Sequence, residues 1–349
     1  MEKIVIHKPG DYRQLKLEAH PDPVPGVDQV VVRTRAVGVN YADCCVRWGV
    51  YKSAKEYVGW PITPGFEFAG DVAAVGPGVT DFKVGDKVFG VTRFDAYATH
   101  VRVPRHQLFH KPDQLSYEQA AGFPAVYLTA YHALYQNLRL RPGMNVLVHS
   151  AAGGVGTALL QLSRIAGCKT VGVVGSAHKI DVAKGFGADH VIDKSSEDLW
   201  KKAKEYAPGG YDVILDANGP ETLKHGYEQL APSGKLISYG FHTVLPKKGG
   251  RINYLKAAWG VVRMPRFSPF DMCDRNKGVI AFNVSFLFDR KEYLTEGMTA
   301  LLQWLKEGKI LPPKVTLYPF SEVGKAHEAI ESGKTTGKLI LTTVAPGHA

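Results

Sequence analysis

The feature that most constrains the fold of this chain is a glycine-rich turn within HSAAGGVGTALLQL, residues 149–162. An apolar strand-like run precedes the turn and a helical run follows it, which is the order found in dinucleotide-binding βαβ units. In a G-x-G-x-x-G alignment, Ala151 takes the first position, Gly153 the second and Gly156 the third. The second glycine lets the backbone approach a pyrophosphate, and the third lets the helix pack on the strand. We therefore predict a nucleotide site that tolerates Ala151 if its φ stays negative. The alternative is a glycine-rich turn that binds no nucleotide.

Strand-like and helical patterns alternate around this turn as far as about residue 240. Predicted strands cover 144–150, 170–174, 190–193, 211–217 and 234–240, and predicted helices cover 156–166, 178–186, 197–206 and 221–230. The strands are almost continuously apolar, as strands covered on both faces are. Such alternation predicts an α/β fold with a doubly wound parallel sheet of the Rossmann class.

The flanking regions have a different texture. Short Val-, Gly- and Pro-rich runs in the first 120 residues predict antiparallel β-structure. A helical stretch follows Ser116, which is placed to cap it. The segment VIAFNVSFL (279–287) is predicted as a strand, 291–306 as a helix, and the C-terminal GKLILTTV as a strand that rejoins the first domain. Residues 241–276 are basic, aromatic and irregular apart from a predicted helix over 253–263.

The type of nucleotide is decided near the end of the next predicted strand. NAD sites usually carry an Asp or Glu about 20 residues after the glycines, where it accepts from the ribose hydroxyls. Here the same count from Gly156 arrives at Ser176, followed by His178 and Lys179, with no carboxylate at that position. A hydroxyl and a cation favour a 2′-phosphate, so we predict NADP(H). The alternative is that Lys179 is a solvated helix residue.

Composition bounds the class of protein. The 349 residues suit about two domains, and four cysteines without a C-x-x-C spacing argue against a zinc knuckle or a disulfide framework. No apolar run approaches the roughly 20 residues of a membrane span, and the N-terminus lacks a signal-peptide pattern, so we expect a cytoplasmic protein. The net charge of +10 permits contact with nucleic acid or an anionic membrane. A phosphate-rich cofactor explains part of that charge, and neither partner is favoured.

A family resemblance is carried by AVGVNYADCCVRWGVY (36–51), PITPGFEFAGDVAAVGPGVTDFKVGDKVFG (61–90) and VLVHSAAGGVGTALLQL (146–162). These stretches resemble the medium-chain dehydrogenase/reductase superfamily, in its zinc-free quinone oxidoreductase branch. SYGFHT, FNVSFLFD and GKLIL extend the likeness, and the vesicle amine transport protein homologues are the most similar subgroup. The resemblance implies a GroES-like β-rich catalytic domain over 1–121, a Rossmann domain over 122–289 and a return to the catalytic domain over 290–349. It also implies a homodimer that pairs through the 279–287 strands.

The same resemblance predicts that no metal is bound. Zinc-dependent members have a cysteine where this chain has Asn40 and a His-Glu pair where it has Phe66-Glu67, and their four-cysteine lobe is missing here. Asn and Phe cannot supply the ligands that catalytic zinc requires. Without that Lewis acid, the easier reaction is hydride transfer to an electron-poor acceptor. We therefore expect an NADPH-dependent reductase of quinones or α,β-unsaturated carbonyls.

Individual site residues are implied by the resemblance as well. Asn40 would donate to a carbonyl, Tyr51 would donate a hydrogen bond or a proton, and Thr129 would lie beside the nicotinamide. Their structural alternatives are a turn cap, a packing residue and an ordinary helix residue. The implied cofactor-binding residues are Gly153, Gly154, Val155 and Gly156 at the pyrophosphate, Ser176 and Lys179 at the 2′-phosphate, Lys194 at the 2′-phosphate or adenine, Asn218 and Gly240 at the nicotinamide ribose, and Phe282 and Val284 at the nicotinamide. Lys194 departs from the family, which often has a tyrosine there.

Two other functions stay open at this level. One is a non-catalytic NADPH-binding protein that associates with RNA or vesicle membranes. The other is an enone or 2-alkenal reductase with incidental quinone activity. Residues 241–276 are interpreted as a substrate lid or a domain-packing segment, with a membrane-surface patch and a subunit contact as alternatives.

Overall fold

The structure is a computed structural model, and it describes residues 1–244 and 254–343. The strands are β1 (Glu2–Val5), β2 (Lys16–Ala19), β3 (Gln29–Val39), β4 (Glu67–Val75), β5 (Lys87–Val91), β6 (His100–Pro104), β7 (Leu108–His110), β8 (Asn145–His149), β9 (Lys169–Val174), β10 (His190–Asp193), β11 (Tyr211–Asp216), β12 (Leu230–Ser238), β13 (Gly278–Ala281), β14 (Val315–Pro319) and β15 (Lys338–Thr342). The helices are α1 (Tyr41–Arg47), α2 (Lys52–Tyr57), α3 (Tyr117–Ala121), α4 (Pro124–Tyr131), α5 (Gly154–Ile165), α6 (Ile180–Gly185), α7 (Leu199–Tyr206), α8 (Leu223–Glu228), α9 (Tyr254–Val262), α10 (Pro269–Asp274), α11 (Lys291–Lys306) and α12 (Val323–Glu331).

A six-stranded parallel sheet forms the middle of the chain, in the order β10-β9-β8-β11-β12-β13. Its strands are apolar because both faces are covered. Val146 and Val148 pack with residues of α4 and α5, while Leu147 packs on the opposite face with residues of α7 and α8. The strand order reverses between β8 and β11, and open α/β sheets bind ligands at this topological switch point. The predicted doubly wound Rossmann sheet is confirmed.

A second sheet is built mainly from the N-terminal third, in the order β14-β15-β3-β4-β5-β7, with β6 also paired to β3. The long strand β3 is its centre and pairs antiparallel with β4, β6 and β15. The β15 pairing confirms that the C-terminal strand rejoins the N-terminal sheet. Ala36 and Ala69 of this sheet share one core cluster with Val146 and Val148 of the parallel sheet, so the two sheets meet through packed side chains.

Several predicted helices are confirmed together with the signals that begin them. Ser116 accepts from the Gln119 N–H, and the Gln119 side chain accepts from the Ser116 N–H, so a capping box starts α3. Pro124 opens α4, where its missing N–H is not needed. The helix predicted over 291–306 is α11, and α9 lies within the range predicted for it. Over residues 1–244 and 254–343, every helix is too short or too polar to cross a bilayer.

The strand predicted over 279–287 is wrong in its second half. It ends at Ala281, and Val284–Leu287 form a 3₁₀ turn instead. Asn283 begins that turn because its side-chain oxygen accepts from the Ser285 N–H at 3.1 Å. The strand β13 therefore forms the edge of the parallel sheet with only four residues.

The helix predicted over 221–230 is too long. Leu230 already pairs with Tyr211 as the first residue of β12, so the helix α8 ends before it. Part of the 241–276 segment forms α9 and α10. Its residues 245–253 lie outside the described residues, so the interpretation of the whole segment stays a prediction.

Candidate functional site

The glycine-rich turn lies at the switch point, between β8 and α5. Ser150 adopts the left-handed conformation there, with φ at 55°, whereas Ala151 does not have a positive φ. The Gly153 N–H closes the turn on the Ser150 carbonyl at 2.9 Å, and a Cβ on Gly156 would overlap the same oxygen. Val155 is half-buried in the first turn of α5. The alanine is thus accommodated as predicted, and the twelve-residue helix α5 begins with amides suited to a pyrophosphate.

The C-terminal strand contacts this turn directly. Gly337 pairs with Gly153 in an isolated parallel bridge, and its N–H donates to the Ala152 carbonyl at 2.9 Å. The next residue, Lys338, passes its side chain beside Gly154, where a Cβ would be crowded by it. The nucleotide turn is therefore held against the antiparallel sheet.

Cationic and hydroxyl side chains collect at the carboxyl ends of β9 and β10. Ser176 Oγ and His178 Nδ1 are 3.2 Å apart. Lys179 donates to the Gly333 carbonyl in the loop before β15, and Lys194 packs over the end of β9. Burial, and then the nearby Lys194 ammonium, lower the pKa of Lys179. Two neighbouring cations are stabilised by an anion between them, so this cluster fits a 2′-phosphate.

A row of buried polar side chains, which the sequence reasoning missed, ends three adjacent strands of the parallel sheet. His149, Asp216 and Ser238 are the last residues of β8, β11 and β12, and strand alternation puts them on one face. The His149 ring and the Ser238 hydroxyl have no hydrogen-bond partner among the described residues. Burial lowers the pKa of His149. The sequence did contain a signal for this row, because a polar residue stands near the end of each of the three apolar runs.

Asn218 and Gly240 follow β11 and β12 at the same crevice. The N–H groups of Asn218 and Gly219 donate to Asp216 Oδ1 at 2.7 and 2.9 Å, which fixes the loop. Asn218 is 1% exposed, and its side-chain oxygen and nitrogen both lack a partner in the described part of the chain. A Cβ on Gly240 would come 2.9 Å from the Ala217 carbonyl oxygen, so glycine keeps the two loops close. Because buried amides are rarely left unpaired, the Asn218 side chain fits a polar group of a bound nucleotide.

The residues predicted at the nicotinamide lie just after β13, in the turn that follows it and on α4. Phe282 meets the His132 ring edge-on, with centroids 4.7 Å apart, and Val284 is half-buried in the 3₁₀ turn. Thr129 is half-buried on α4, and its hydroxyl donates to the Ala125 carbonyl at 2.7 Å. The Thr129 proton is thus used within the helix, and its lone pairs are what it can offer a ligand.

A buried ion pair holds the carboxamide of Asn40, the residue that precedes α1. Lys338 Nζ and Glu67 Oε1 are 2.6 Å apart, and the two side chains are 4% and 0% exposed. Lys338 donates to Asn40 Oδ1 at 2.7 Å, and Asn40 Nδ2 donates to Glu67 Oε1 at 2.9 Å. One Nδ2 hydrogen of Asn40 is left for a ligand. Asn40 also starts the helix as its N-cap residue, which is the turn-cap role given above as its structural alternative.

Tyr51 precedes α2 and reaches the 3₁₀ turn after β13. Its hydroxyl lies 2.9 Å from Asn283 Oδ1 and 3.1 Å from Ser285 Oγ, two partners that the sequence reasoning did not single out. Its ring packs edge-on against Phe66 and Phe94. Burial raises the pKa of Tyr51 to about 12. The hydroxyl therefore keeps its proton at neutral pH and is a donor.

The surroundings of Asn40 do not fit a catalytic zinc ion. Phe66 is 3% exposed within the aromatic cluster and has no ligand atom. Glu67 is paired with the Lys338 ammonium, and its second oxygen accepts from the Ala125 N–H at 2.8 Å. This donor set lacks the thiolates and imidazoles that catalytic zinc sites use.

A second group of possible metal ligands lies elsewhere among the described residues. Cys44, His327 and Glu331 are buried with their ligand atoms within 4.8 Å of one another. The Arg47 guanidinium lies 3.0 Å from His327 Nδ1 and donates to Glu331 Oε1 at 2.6 Å. The positive charge in this group is therefore supplied by Arg47.

Comparisons with known proteins agree with this architecture. Residues 26–113 match the profile of the alcohol dehydrogenase GroES-like domain, and residues 186–341 match that of the zinc-binding dehydrogenase. The synaptic vesicle membrane protein VAT-1 homolog of Rattus norvegicus is 36% identical over 334 residues, which is 95% of this chain and 81% of that protein. The crystal structure of human synaptic vesicle membrane protein VAT-1 homolog-like protein has a TM-score of 0.82 at 28% identity and covers 99% of both chains. The Escherichia coli quinone oxidoreductase complexed with NADPH has a TM-score of 0.84 at 27% identity, covering 98% of this chain and 100% of that chain.

Proposed function

Because the chain belongs to the medium-chain dehydrogenase/reductase superfamily, in its zinc-free quinone oxidoreductase branch, we propose that it reduces quinones or α,β-unsaturated carbonyls with NADPH and without zinc. The chain is an oxidoreductase with NADP(H) as its cofactor. What we propose beyond this is the class of compound that accepts the hydride. The observation that carries the proposal is the Asn40 carboxamide. Where zinc-dependent members place a metal ligand, this chain places an N–H donor fixed by Lys338 and Glu67.

The cofactor site is proposed in the arrangement that the sequence predicted. Gly153, Gly154, Val155 and Gly156 bind the pyrophosphate, Ser176 and Lys179 bind the 2′-phosphate, Lys194 binds the 2′-phosphate or the adenine, Asn218 and Gly240 bind the nicotinamide ribose, and Phe282, Val284 and Thr129 line the nicotinamide. When bound, NADPH supplies a hydride from nicotinamide C4. The cation cluster at Lys179 supports this arrangement, and so does the Asn218 amide, which has no partner in the described part of the chain.

The chain's own residues contribute hydrogen bonds, orientation and a dry pocket. Hydride addition to a quinone or enone builds negative charge on the carbonyl oxygen, and Asn40 Nδ2 donates to that oxygen. Tyr51 carries the proton that completes the reduction, and solvent then replaces it. Its hydroxyl rests on Asn283 before the acceptor binds. Because the acceptor is electron-poor, these donors suffice without a metal ion.

We also propose a domain organisation, an oligomeric state and a location for the chain. We place the domain boundaries after residues 121 and 289, with 290–349 returning to the catalytic domain. The outer edge of β13, which pairs with no further strand among the described residues, is proposed as the contact of a homodimer, since such edges favour pairing. The proposed location is the cytoplasm.

Consumption of NADPH in the presence of a chelator tests this function. We expect turnover with a quinone or a 2-alkenal, and the ratio of their kcat/KM values identifies the preferred class. Asn40→Ala should lower kcat about 100-fold, the usual effect of losing one donor to an oxyanion. Asn137→Ala is the control, because the side-chain amide of that half-buried residue donates to the nearby His132 carbonyl and has no role in the proposed site. Equal rates for Asn40→Ala and the wild type would refute the assignment.

A second candidate function is attachment to an anionic lipid surface, which an exposed apolar stripe favours. On α9, Leu255, Trp259 and Val262 are 85%, 62% and 74% exposed, and their spacing puts them on one helix face. Phe270 on α10 is 85% exposed, and the exposed Arg263 follows the stripe. An apolar face with adjacent cations is typical of helices that lie in the headgroup region.

Flotation with vesicles tests the second candidate. We expect binding to phosphatidylcholine vesicles that contain phosphatidylserine, weakening with salt, and no binding to phosphatidylcholine alone. Trp259→Glu should abolish it, while Leu317→Glu on β14, where the native side chain is 51% exposed, should not. Equal flotation of both variants would contradict the stripe as the binding surface.

A further inference from the structure

We propose that Lys338 is a positioning residue that acts through Asn40, a role that rests on the proposed reductase function. Its Nζ donates to Val39 O at 2.8 Å and Asn40 Oδ1 at 2.7 Å, and it lies 2.6 Å from Glu67 Oε1. An ammonium group has three N–H bonds, so these three acceptors use every donor that Lys338 has. In this arrangement it has none left for a substrate or a phosphate. Its effect on the reaction is therefore exerted on its neighbours.

The ion pair determines which way the Asn40 carboxamide faces. The two ends of a carboxamide have nearly the same shape, so their positions are set by the surrounding donors and acceptors. Lys338 can only donate and Glu67 can only accept, which turns Oδ1 to the lysine and Nδ2 to the glutamate. A flipped amide would set its NH₂ against an ammonium and its oxygen against a carboxylate. The pair thus reserves an N–H, rather than an oxygen, for the acceptor's developing negative charge.

The same lysine ties Asn40 to the nucleotide turn. Its neighbour Gly337 bridges to Gly153, and the strand β15 then runs antiparallel to β3, which ends just before Asn40. Glu67 adds a third anchor, because its Oε2 accepts from the Ala125 N–H at the start of α4. The donor, the turn and α4 are therefore tied to one another by this buried ion pair together with the backbone bridge of the adjacent Gly337.

Three variants separate positioning from simple loss of charge. Lys338→Met removes the ammonium, Lys338→Arg keeps a cation, and Lys314→Met removes an exposed lysine whose backbone carbonyl accepts from the Lys338 N–H. We expect Lys338→Met to lower kcat at least about 10-fold, with the NADPH Kd from fluorescence titration changed less than about threefold. Lys338→Arg should recover part of kcat, and Lys314→Met should match the wild type. A Kd that rises as much as kcat falls would overturn the proposal.

A double-variant cycle tests whether Lys338 acts through Asn40. In an Asn40→Ala background, adding Lys338→Met should lower kcat no further, because the group that it positions is already gone. Losses that multiply in the double variant would overturn the proposal, since an independent structural role predicts them. If Lys338→Met is unstable with Glu67 unpaired, Lys338→Met/Glu67→Gln removes both charges and takes its place.

A measurement independent of turnover keeps this inference distinct from the proposed function. In protein labelled with ¹⁵N-asparagine, the Asn40 side-chain amide is assigned by its loss in Asn40→Ala. We expect its two proton shifts to move in Lys338→Met/Glu67→Gln and to stay unchanged in Lys314→Met. An unmoved Asn40 signal would refute positioning by Lys338. A wild-type protein that reduces no quinone or enone would instead refute the proposed function.

Discussion

Replacing Lys179 with methionine should remove most of the protein's preference for NADPH over NADH. The Lys179 ammonium lies near Lys194 at the carboxyl ends of β9 and β10, and Ser176 follows the same strand β9. NADH has no 2′-phosphate, so the loss should be confined to NADPH. Because burial and Lys194 lower the pKa of Lys179, the wild-type preference should also decline as the pH rises toward that lowered value.

The size of the effect follows from the contacts that remain. A hydrogen bond to a charged group contributes roughly 1.5–3 kcal/mol. Lys194 and Ser176 still face the phosphate in the variant, so the lower half of that range applies. A loss of about 1.5–2 kcal/mol corresponds to an increase of about 10- to 30-fold in the Kd for NADPH.

Fluorescence titration with both nucleotides measures this preference directly. Lys184→Met is the control, because Lys184 is an exposed lysine on α6, the helix that begins directly after Lys179. We expect its two Kd values to equal those of the wild type. An equal loss of NADPH and NADH affinity in Lys179→Met, or no loss of either, would show that Lys179 does not bind the 2′-phosphate.

Other substitutions probe the site and the packing around it. Tyr51→Phe should lower kcat about 100-fold, and the wild-type kcat should stay flat from about pH 7 to 10 because burial raises the pKa of Tyr51 to about 12. A fall in kcat centred within that range would contradict its role. Gly156→Ala should lower the free energy of unfolding by about 1–3 kcal/mol through overpacking, whereas Gly185→Ala, with open space around it, should be neutral or stabilising in a urea titration. Arg47→Met leaves the buried Glu331 without the cation that it pairs with and should cost about 3–5 kcal/mol, part of which Arg47→Met/Glu331→Gln should restore. Equal midpoints for the single and double variants would contradict that account.

The hydrophobic pattern was sufficient to predict the strands of the parallel sheet. It was not sufficient where a contact with a distant part of the chain ends a strand. The runs at 170–174 and 211–217 are mostly apolar because both faces of the sheet are covered, so the pattern itself contains the information. The run at 279–287 has a similar pattern, yet it leaves the sheet at Ala281. There the Asn283 side chain accepts from the Ser285 N–H and the Tyr51 hydroxyl, and a local pattern cannot contain a partner from another part of the chain.

The candidate site was likewise predictable where its signals are local and unpredictable where they depend on distant residues. The position of Asn40 and the turn at Gly153 follow from motifs and resemblance, because each motif is local. The environment of Asn40 does not, since Lys338 is 298 residues away and has the pattern of an ordinary first residue of a strand. Only the pairing of β15 with β3 brings the two together. His149, whose ring nitrogens have no hydrogen-bond partner among the described residues, was missed for a related reason, because only the neighbouring strands show that it belongs to a polar row.

Transfer of deuterium from NADPH labelled at C4 to a 2-alkenal tests the central claim most directly. The reaction is run with a chelator present, and the product is analysed by mass spectrometry and NMR. We predict one deuterium on the β-carbon, delivered from one of the two labelled stereoisomers only, and a rate that falls about 100-fold in Asn40→Ala. Absence of label in the products of every enone and of NADPH oxidation with every quinone, or an activity that chelation removes and zinc restores, would contradict the account.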